Sequence, residues 1–145
     1  MMDEPASIDP DAATVDALVQ LSFLVIDELG RIAAAHDLSL TQVRMLGILR
    51  DRTPPMLELG RHLTLGKSSV TGLVARAEAR DLVRRRPDDA DGRGVRVGLT
   101  DGGRALAAAF TAEMTARIDA LVAGLAPRDR DRLTGLAWQV LQRER

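Results

Sequence analysis

One stretch of this chain changes period halfway along. From Lys67 to about Arg80 the apolar residues Val70, Leu73, Val74 and Ala77 recur at helical spacing. Leu82-Val83-Arg84-Arg85-Arg86 and Val95-Arg96-Val97-Gly98-Leu99 then read as short strands, with Val95, Val97 and Leu99 alternating against Arg96 and Gly98. Between them Pro87-Asp88-Asp89-Ala90-Asp91-Gly92-Arg93-Gly94 is rich in turn formers, so the two strands close as a hairpin. A helix running straight into a hairpin leaves few topologies, and the remaining residues must supply its frame.

Upstream, Ser39-x-x-Gln42 carries a capping-box signature and starts a helix that runs to about Arg50, with Val43, Leu46 and Leu49 as its buried stripe. Asp51-Arg52-Thr53-Pro54-Pro55 ends it, because proline lacks the donor and restricts its predecessor. A short helix follows over Met56–Leu63 with Met56, Leu59 and Leu63 inward, then the turn Thr64-Leu65-Gly66. Two helices joined by such a turn match a helix-turn-helix, and the hairpin behind the second is a wing. Asp9-Pro10 caps a first helix with apolar positions at Val15, Leu18, Val19, Val25, Ile26, Leu29 and Ile32, ending at His36-Asp37-Leu38. Its segment Leu21–Ile26 is apolar nearly all round, which predicts packing against a second subunit. After the wing, Thr100-Asp101 caps a long helix through Leu106, Phe110, Met114, Ile118, Leu121, Val122 and Leu125. Pro127 opens a last one with Leu133, Leu136, Val140 and Leu141 on its apolar side.

The expected fold class is mainly α with a small β-hairpin wing: a winged helix-turn-helix flanked by N- and C-terminal dimerisation helices. Residues 1–145 form a single domain, with 39–100 as the winged lobe and 10–36 and 101–145 as the dimerisation helices. With Phe23, Phe110 and Trp138 the only aromatics, the core must be built from Leu, Val, Ile and Ala, which favours close-packed helices. The absence of cysteine excludes disulfides, thiolate metal sites and thiol redox sensing. No apolar run reaches the roughly 18 residues of a membrane span. The acidic N-terminus lacks the basic region of a signal peptide, so a soluble, cytoplasmic protein is expected.

Charge is segregated. Residues 1–30 carry seven acids and no Lys or Arg, whereas residues 61–100 carry nine bases against five acids, within a net charge of −1. A basic centre of this kind is the electrostatic footprint of nucleic-acid binding. The major groove accepts an α-helix whose N-terminal side chains reach base edges, which places Lys67, Ser68, Ser69 and Thr71 there. Arg76 falls further along and suits phosphate. Arg93, at the loop tip, suits the narrow minor groove. Arg84, Arg85 and Arg86 alternate faces, so one or two touch phosphate while another pairs with Asp88 or Asp89. Arg85 and Arg96 complete the candidate DNA contacts.

The run Leu59 to Arg104 resembles the MarR (multiple antibiotic resistance regulator) family of bacterial transcription factors. The likeness lies in Leu59…Leu63, Lys67-Ser68-Ser69-Val70-Thr71, Leu82-Val83-x-Arg85 and Asp91-x-Arg93-x5-Leu99-Thr100-x-x-Gly103-Arg104, and the wing motif with its trailing Leu-Thr-x-x-Gly is the specific part. The resemblance implies a homodimer on a pseudopalindromic double-stranded operator, often one overlapping the protein's own promoter, and a repressor is expected. Release by a small aromatic or phenolic effector in the crevice between DNA-binding and dimerisation parts is implied too. It further implies that Asp91 orients arginine at the wing base. Candidate effector anchors are His36 and Arg44, near the corner between the first two helices. Gly66, Gly72, Ala77 and Asp81 depart from the family pattern, in place of a capping Ser, a polar or basic residue, a Leu and a Gly.

His36 and His62 lie 26 residues apart with no clustered third ligand, so no metal site is expected, and no cofactor. No Ser/His/Asp spacing and no phosphate-cradling glycine loop speaks for an enzyme. The alternative to a DNA-reading regulator is a winged-helix module that binds protein instead.

Overall fold

A computed structural model describes residues 10–90 and 92–143. The Asp9 cap and Asp91 lie outside the described residues. The order is α1 (Pro10–Ala35), α2 (Leu40–Asp51), α3 (Met56–Leu63), α4 (Lys67–Ala79), β1 (Val83–Pro87), β2 (Val95–Leu99), α5 (Asp101–Leu121) and α6 (Pro127–Arg143).

Local chemistry sets most of the boundaries. The Ser39 hydroxyl accepts from Gln42 N at 3.2 Å and the Gln42 side chain accepts from Ser39 N at 2.8 Å, completing the capping box of α2. Thr100 caps α5 in the same way, its hydroxyl accepting from Gly103 N at 2.9 Å. Among the described residues, three other than glycine take the left-handed conformation that closes helix ends: Asp37 (φ 54), Thr64 (φ 57) and Asp81 (φ 54). In the turn between α3 and α4 the positive φ therefore falls on Thr64, while Gly66 is extended at φ −68 and serves as N-cap of α4. Asp81 supplies this conformation just after α4 without a glycine.

The core sits in the winged lobe, where Met45, Leu59, Val74, Val83 and Val97 are fully buried and Leu46, Leu49, Leu63, Val70, Leu73 and Leu99 surround them. From the long helices, Ile32 and Ala33 of α1 and Ala107 and Phe110 of α5 are buried in it, with Leu29, Leu106 and Met114 half-buried against it. Four expectations shift. Met45 joins Leu46 and Leu49 as a buried residue of α2, while Val43 is half-buried against the same core. Leu82 precedes the strand instead of opening it, since its N–H is taken by Ala77 O at 3.0 Å in the turn after α4. In β2 the alternation breaks: Val95 is partly exposed while Gly98 is buried, because a side chain there would stand 3.2 Å from Thr53 Cγ2. Finally α5 stops at Leu121, short of Leu125, where a capping turn begins at Val122.

The hairpin is antiparallel with register Val83↔Leu99, Arg84↔Gly98, Arg85↔Val97, Arg86↔Arg96 and Pro87↔Val95. A third short segment joins through Val97 N donating to Pro54 O at 3.0 Å. Glu28 ties α1 to α5, accepting from Arg117 at 3.3 Å as well as from Arg31. By contrast α6 has no buried residue, and Leu18, Phe23 and Ile26 of α1 with Leu136, Trp138 and Val140 of α6 stand exposed. No helix among the described residues is long and apolar enough to cross a membrane.

Candidate nucleic-acid interface

Helix α4 presents its N-terminal turn outward. Lys67, Ser68, Ser69 and Thr71 are all exposed, while Val70, Leu73, Val74 and Ala77 hold the opposite face in the core. Gly66 offers no side-chain cap, so the first-turn N–H groups are left to an outside acceptor at the positive end of the helix dipole. The Thr71 hydroxyl donates back to Lys67 O at 2.7 Å and so meets a ligand as an acceptor.

Gly72 bears on the next turn. A Cβ built there would lie 3.3 Å from Arg76 Nη1, so the guanidinium of Arg76 folds forward over the glycine toward the start of the helix. The position without a side chain is what makes that path available.

The wing arginines divide by strand face. Arg85 shares the face of Val97 and lies against α4: its Nε is 3.4 Å from Glu78 Oε2, its N–H donates to Glu78 Oε1 at 3.0 Å, and Nη2 reaches Thr71 O at 3.4 Å. Arg96 donates Nε to Asp88 Oδ1 at 2.9 Å and Nη1 to Thr53 O at 2.8 Å. Arg84 pairs with Asp81 at 3.6 Å. The acids engaged by the β1 arginines are thus Glu78 and Asp81, a correction to the pairing expected with Asp88 or Asp89. Those two lie close because α4 ends and β1 begins within one turn, whereas Asp88 faces β2 across the hairpin. Asp88 is buried and also closes the loop, its N–H donating to Gly94 O at 2.9 Å and its carboxylate accepting from Ala90 N at 3.1 Å. Arg93 is exposed at the tip.

Between α3, α4 and the wing runs a cleft of about 530 Å³ lined by Met56, Leu57, Arg61, Lys67, Thr71 and Val95 among others. It brings Lys67 and Thr71 together with Arg61, which sequence reasoning passed over. The available signal was its place four residues after the exposed Leu57 on the outer face of α3.

The effector anchors are not brought together. His36 Nε2 lies 3.1 Å from Glu113 Oε1 with its ring centroid 6.4 Å from that of Phe110, while Arg44 is exposed on α2. The crevice between α2 and α5 measures about 90 Å³ and is lined by Val43, Gly47, Arg50, Phe110, Thr111 and Met114 among others, with neither anchor in its wall. Among the described residues no three His, Asp or Glu groups gather as a metal site.

Residues 36–94 match the model of the MarR family. No curated protein matches the chain. Among solved structures, a MarR-family transcriptional regulator from Silicibacter pomeroyi is 26% identical, with 99% of this chain and 97% of that one covered at a TM-score of 0.76. The protein RV1404 of Mycobacterium tuberculosis is 23% identical over 95% of this chain and 96% of its own, with a TM-score of 0.80. NadR in complex with 4-hydroxyphenylacetate is 23% identical over 97% and 96%, with a TM-score of 0.71. The six helices and the two-stranded wing are those of winged-helix structures of this kind.

Proposed function

With residues 36–94 matching the MarR family and the whole chain folded as its regulators are, we propose that the protein is a dimeric, sequence-specific DNA-binding transcriptional repressor. The observation that carries this reading is the outward N-terminal turn of α4, with Lys67, Ser68, Ser69 and Thr71 exposed and its N–H groups uncapped by a side chain, beside a wing tipped by Arg93. Two such turns, related by a twofold axis through α1 and α6, fit half-sites about one helical turn (~10 bp) apart on a pseudopalindromic operator. Arg76 and Arg85 flank the helix, and Arg96 and Asp88 hold the wing at its angle. A small aromatic or other apolar ligand, of the class that NadR binds as 4-hydroxyphenylacetate, is proposed to release DNA from the crevice bordered by α2 and α5.

The test is a titration of purified protein against duplex from its own upstream intergenic region, with scrambled duplex as control, at two salt concentrations. One dimer per site with affinity falling steeply as salt rises is expected, because Lys and Arg displace condensed counterions. Equal weak binding to both duplexes, with no site recovered from a random-sequence selection, would favour the protein-binding alternative. In the same assay Arg93→Ala should weaken operator binding at least tenfold (about 1.4 kcal/mol) while the melting curve stays in place. Unaltered affinity removes the wing tip from the interface.

Gly72→Ala separates folding from reading. Alanine in mid-helix should stabilise the protein by up to about 1 kcal/mol. Its Cβ, 3.3 Å from Arg76 Nη1, should also push the guanidinium aside and lower operator affinity toward that of Arg76→Ala. Higher stability with unchanged affinity would show that the forward position of Arg76 is not used on DNA.

A further inference from the structure

The regulator reading leaves part of the basic charge unused. Strand alternation puts Arg85 against α4 and turns Arg84, Arg86 and Gly98 to the opposite face of the hairpin. On that opposite face, β1, the connection from α2 to α3 and the first turn of α5 enclose a cleft of about 290 Å³ lined by Arg50, Asp51, Arg52, Arg86 and Arg104, with Gly98 among its remaining wall residues. A smaller pocket of about 130 Å³, lined by Arg84, Asp101 and the same Arg86 and Arg104, continues it along the sheet.

We propose that this cleft is an oxyanion site for the phosphate group of a small phosphorylated molecule. Four guanidinium groups line the main cleft against the single carboxylate of Asp51. Arg50 turns its fork onto that carboxylate, at 3.1 and 2.9 Å, and this hydrogen bonding is the first cause holding Asp51 below its ordinary pKa. Arg104 donates to Leu99 O at 2.9 Å and to Asp101 Oδ1 at 2.5 Å, which fixes its head at the rim. Arg52 acts on Asp51 only through space, and the Arg86 guanidinium makes no ion pair or hydrogen bond among the described residues. Two planar donor forks are therefore left facing a polar cleft with nothing to bind.

Gathering like charges around one cleft is unfavourable in the empty protein and favourable once a multiply charged acceptor sits between them. Guanidinium pairs suit phosphate because each presents two parallel N–H donors to two oxygens. Thr53, packed over the buried Gly98, completes the wall between the arginines. On the proposed regulator reading, the duplex meets α4 on the other side of the sheet, which favours a free phosphorylated molecule over the operator core. An anion held here contacts the α2–α3 connection, the base of the wing and the start of α5 at once, the junction between the winged lobe and the long helices.

The probe is pyrophosphate, titrated calorimetrically into the full-length protein at constant ionic strength. One saturable site per protomer is expected, weakened at least tenfold by Arg86→Ala and by Arg52→Ala and unchanged by Arg128→Ala on the exposed first turn of α6. Circular dichroism of each variant establishes that the fold is retained. A second arm compares Arg86→Ala with the wild type on operator duplex, with and without flanks of about one turn (~10 bp) at each end. Loss confined to the flanked duplex, without saturable pyrophosphate binding, would keep the phosphate chemistry and assign its source to flanking DNA backbone. Pyrophosphate binding that ignores both substitutions overturns the proposal. So does the absence of pyrophosphate binding together with equal affinities on the two duplexes. The calorimetric arm contains no DNA, so its result stands whether or not the regulator reading does.

Discussion

Replacing Gly103 with alanine is expected to cost the fold about 3 kcal/mol or more, the upper end of what overpacking costs. A Cβ built at this position stands 1.8 Å from the Leu82 carbonyl oxygen and 2.8 Å from its carbon. Both are backbone atoms with no rotamer to escape into, and the residue that carries them is pinned on two sides. Leu82 N donates to Ala77 O at 3.0 Å and Leu82 O accepts from Thr100 N at 3.1 Å. Thr100 adds a hydroxyl bond to Asp81 O while capping the same turn of α5. The first turn of α5 is thus docked directly on the turn that joins α4 to β1, and relieving the clash means undocking it. Thermal melting at fixed protein concentration should show the midpoint lowered by about 6–12 °C. Gly124→Ala, where an added Cβ meets nothing within 4 Å, serves as the control. A Gly103→Ala midpoint indistinguishable from that control would mean the two turns do not approach as described.

The second large effect concerns the faces left uncovered. Leu136 and Val140 are each 57% exposed and stand one helical turn apart on α6, a helix with no buried residue. With Leu18, Phe23 and Ile26 of α1 they make apolar surface that the proposed dimer buries. The double substitution Leu136→Asp, Val140→Asp places two charges in that interface and should halve the mass measured by sedimentation equilibrium, to the 15.7 kDa of one chain. Operator affinity should fall by about a hundredfold or more, because two linked half-site contacts become independent ones. The winged lobe, whose core lies elsewhere, should keep its helical signal. A species that stays at twice the chain mass and binds operator normally would show that these faces do something other than join protomers.

Much of the fold was legible because its signals are local. The Ser39–Gln42 box, the Pro54-Pro55 stop, the Thr100 cap and the change of period after Arg80 each act within about four residues, and each lies where an element begins or ends. The candidate DNA-facing side chains at the start of α4 were legible for the same reason, since helical spacing alone separates Lys67, Ser68, Ser69 and Thr71 from the buried Val70, Leu73 and Val74.

What the tertiary structure decided is which distant groups meet. Arg85 finds Glu78 and Arg96 finds Asp88 because hairpin register and the angle of α4 bring them together, and no spacing rule ranks those acids above Asp89. The Leu-Thr-x-x-Gly motif could be recognised in the sequence, yet its glycine is explained only by the Leu82 carbonyl pressed against it. Arg76 lying over Gly72, and Arg52, Arg86 and Arg104 converging from three elements behind the wing, likewise leave no local trace. Hydrogen-bonded turns and caps are short-range, so the order of residues sets them directly. Ion pairs, close backbone approaches and clefts join residues tens of positions apart, and only the packing of the whole chain fixes their distances.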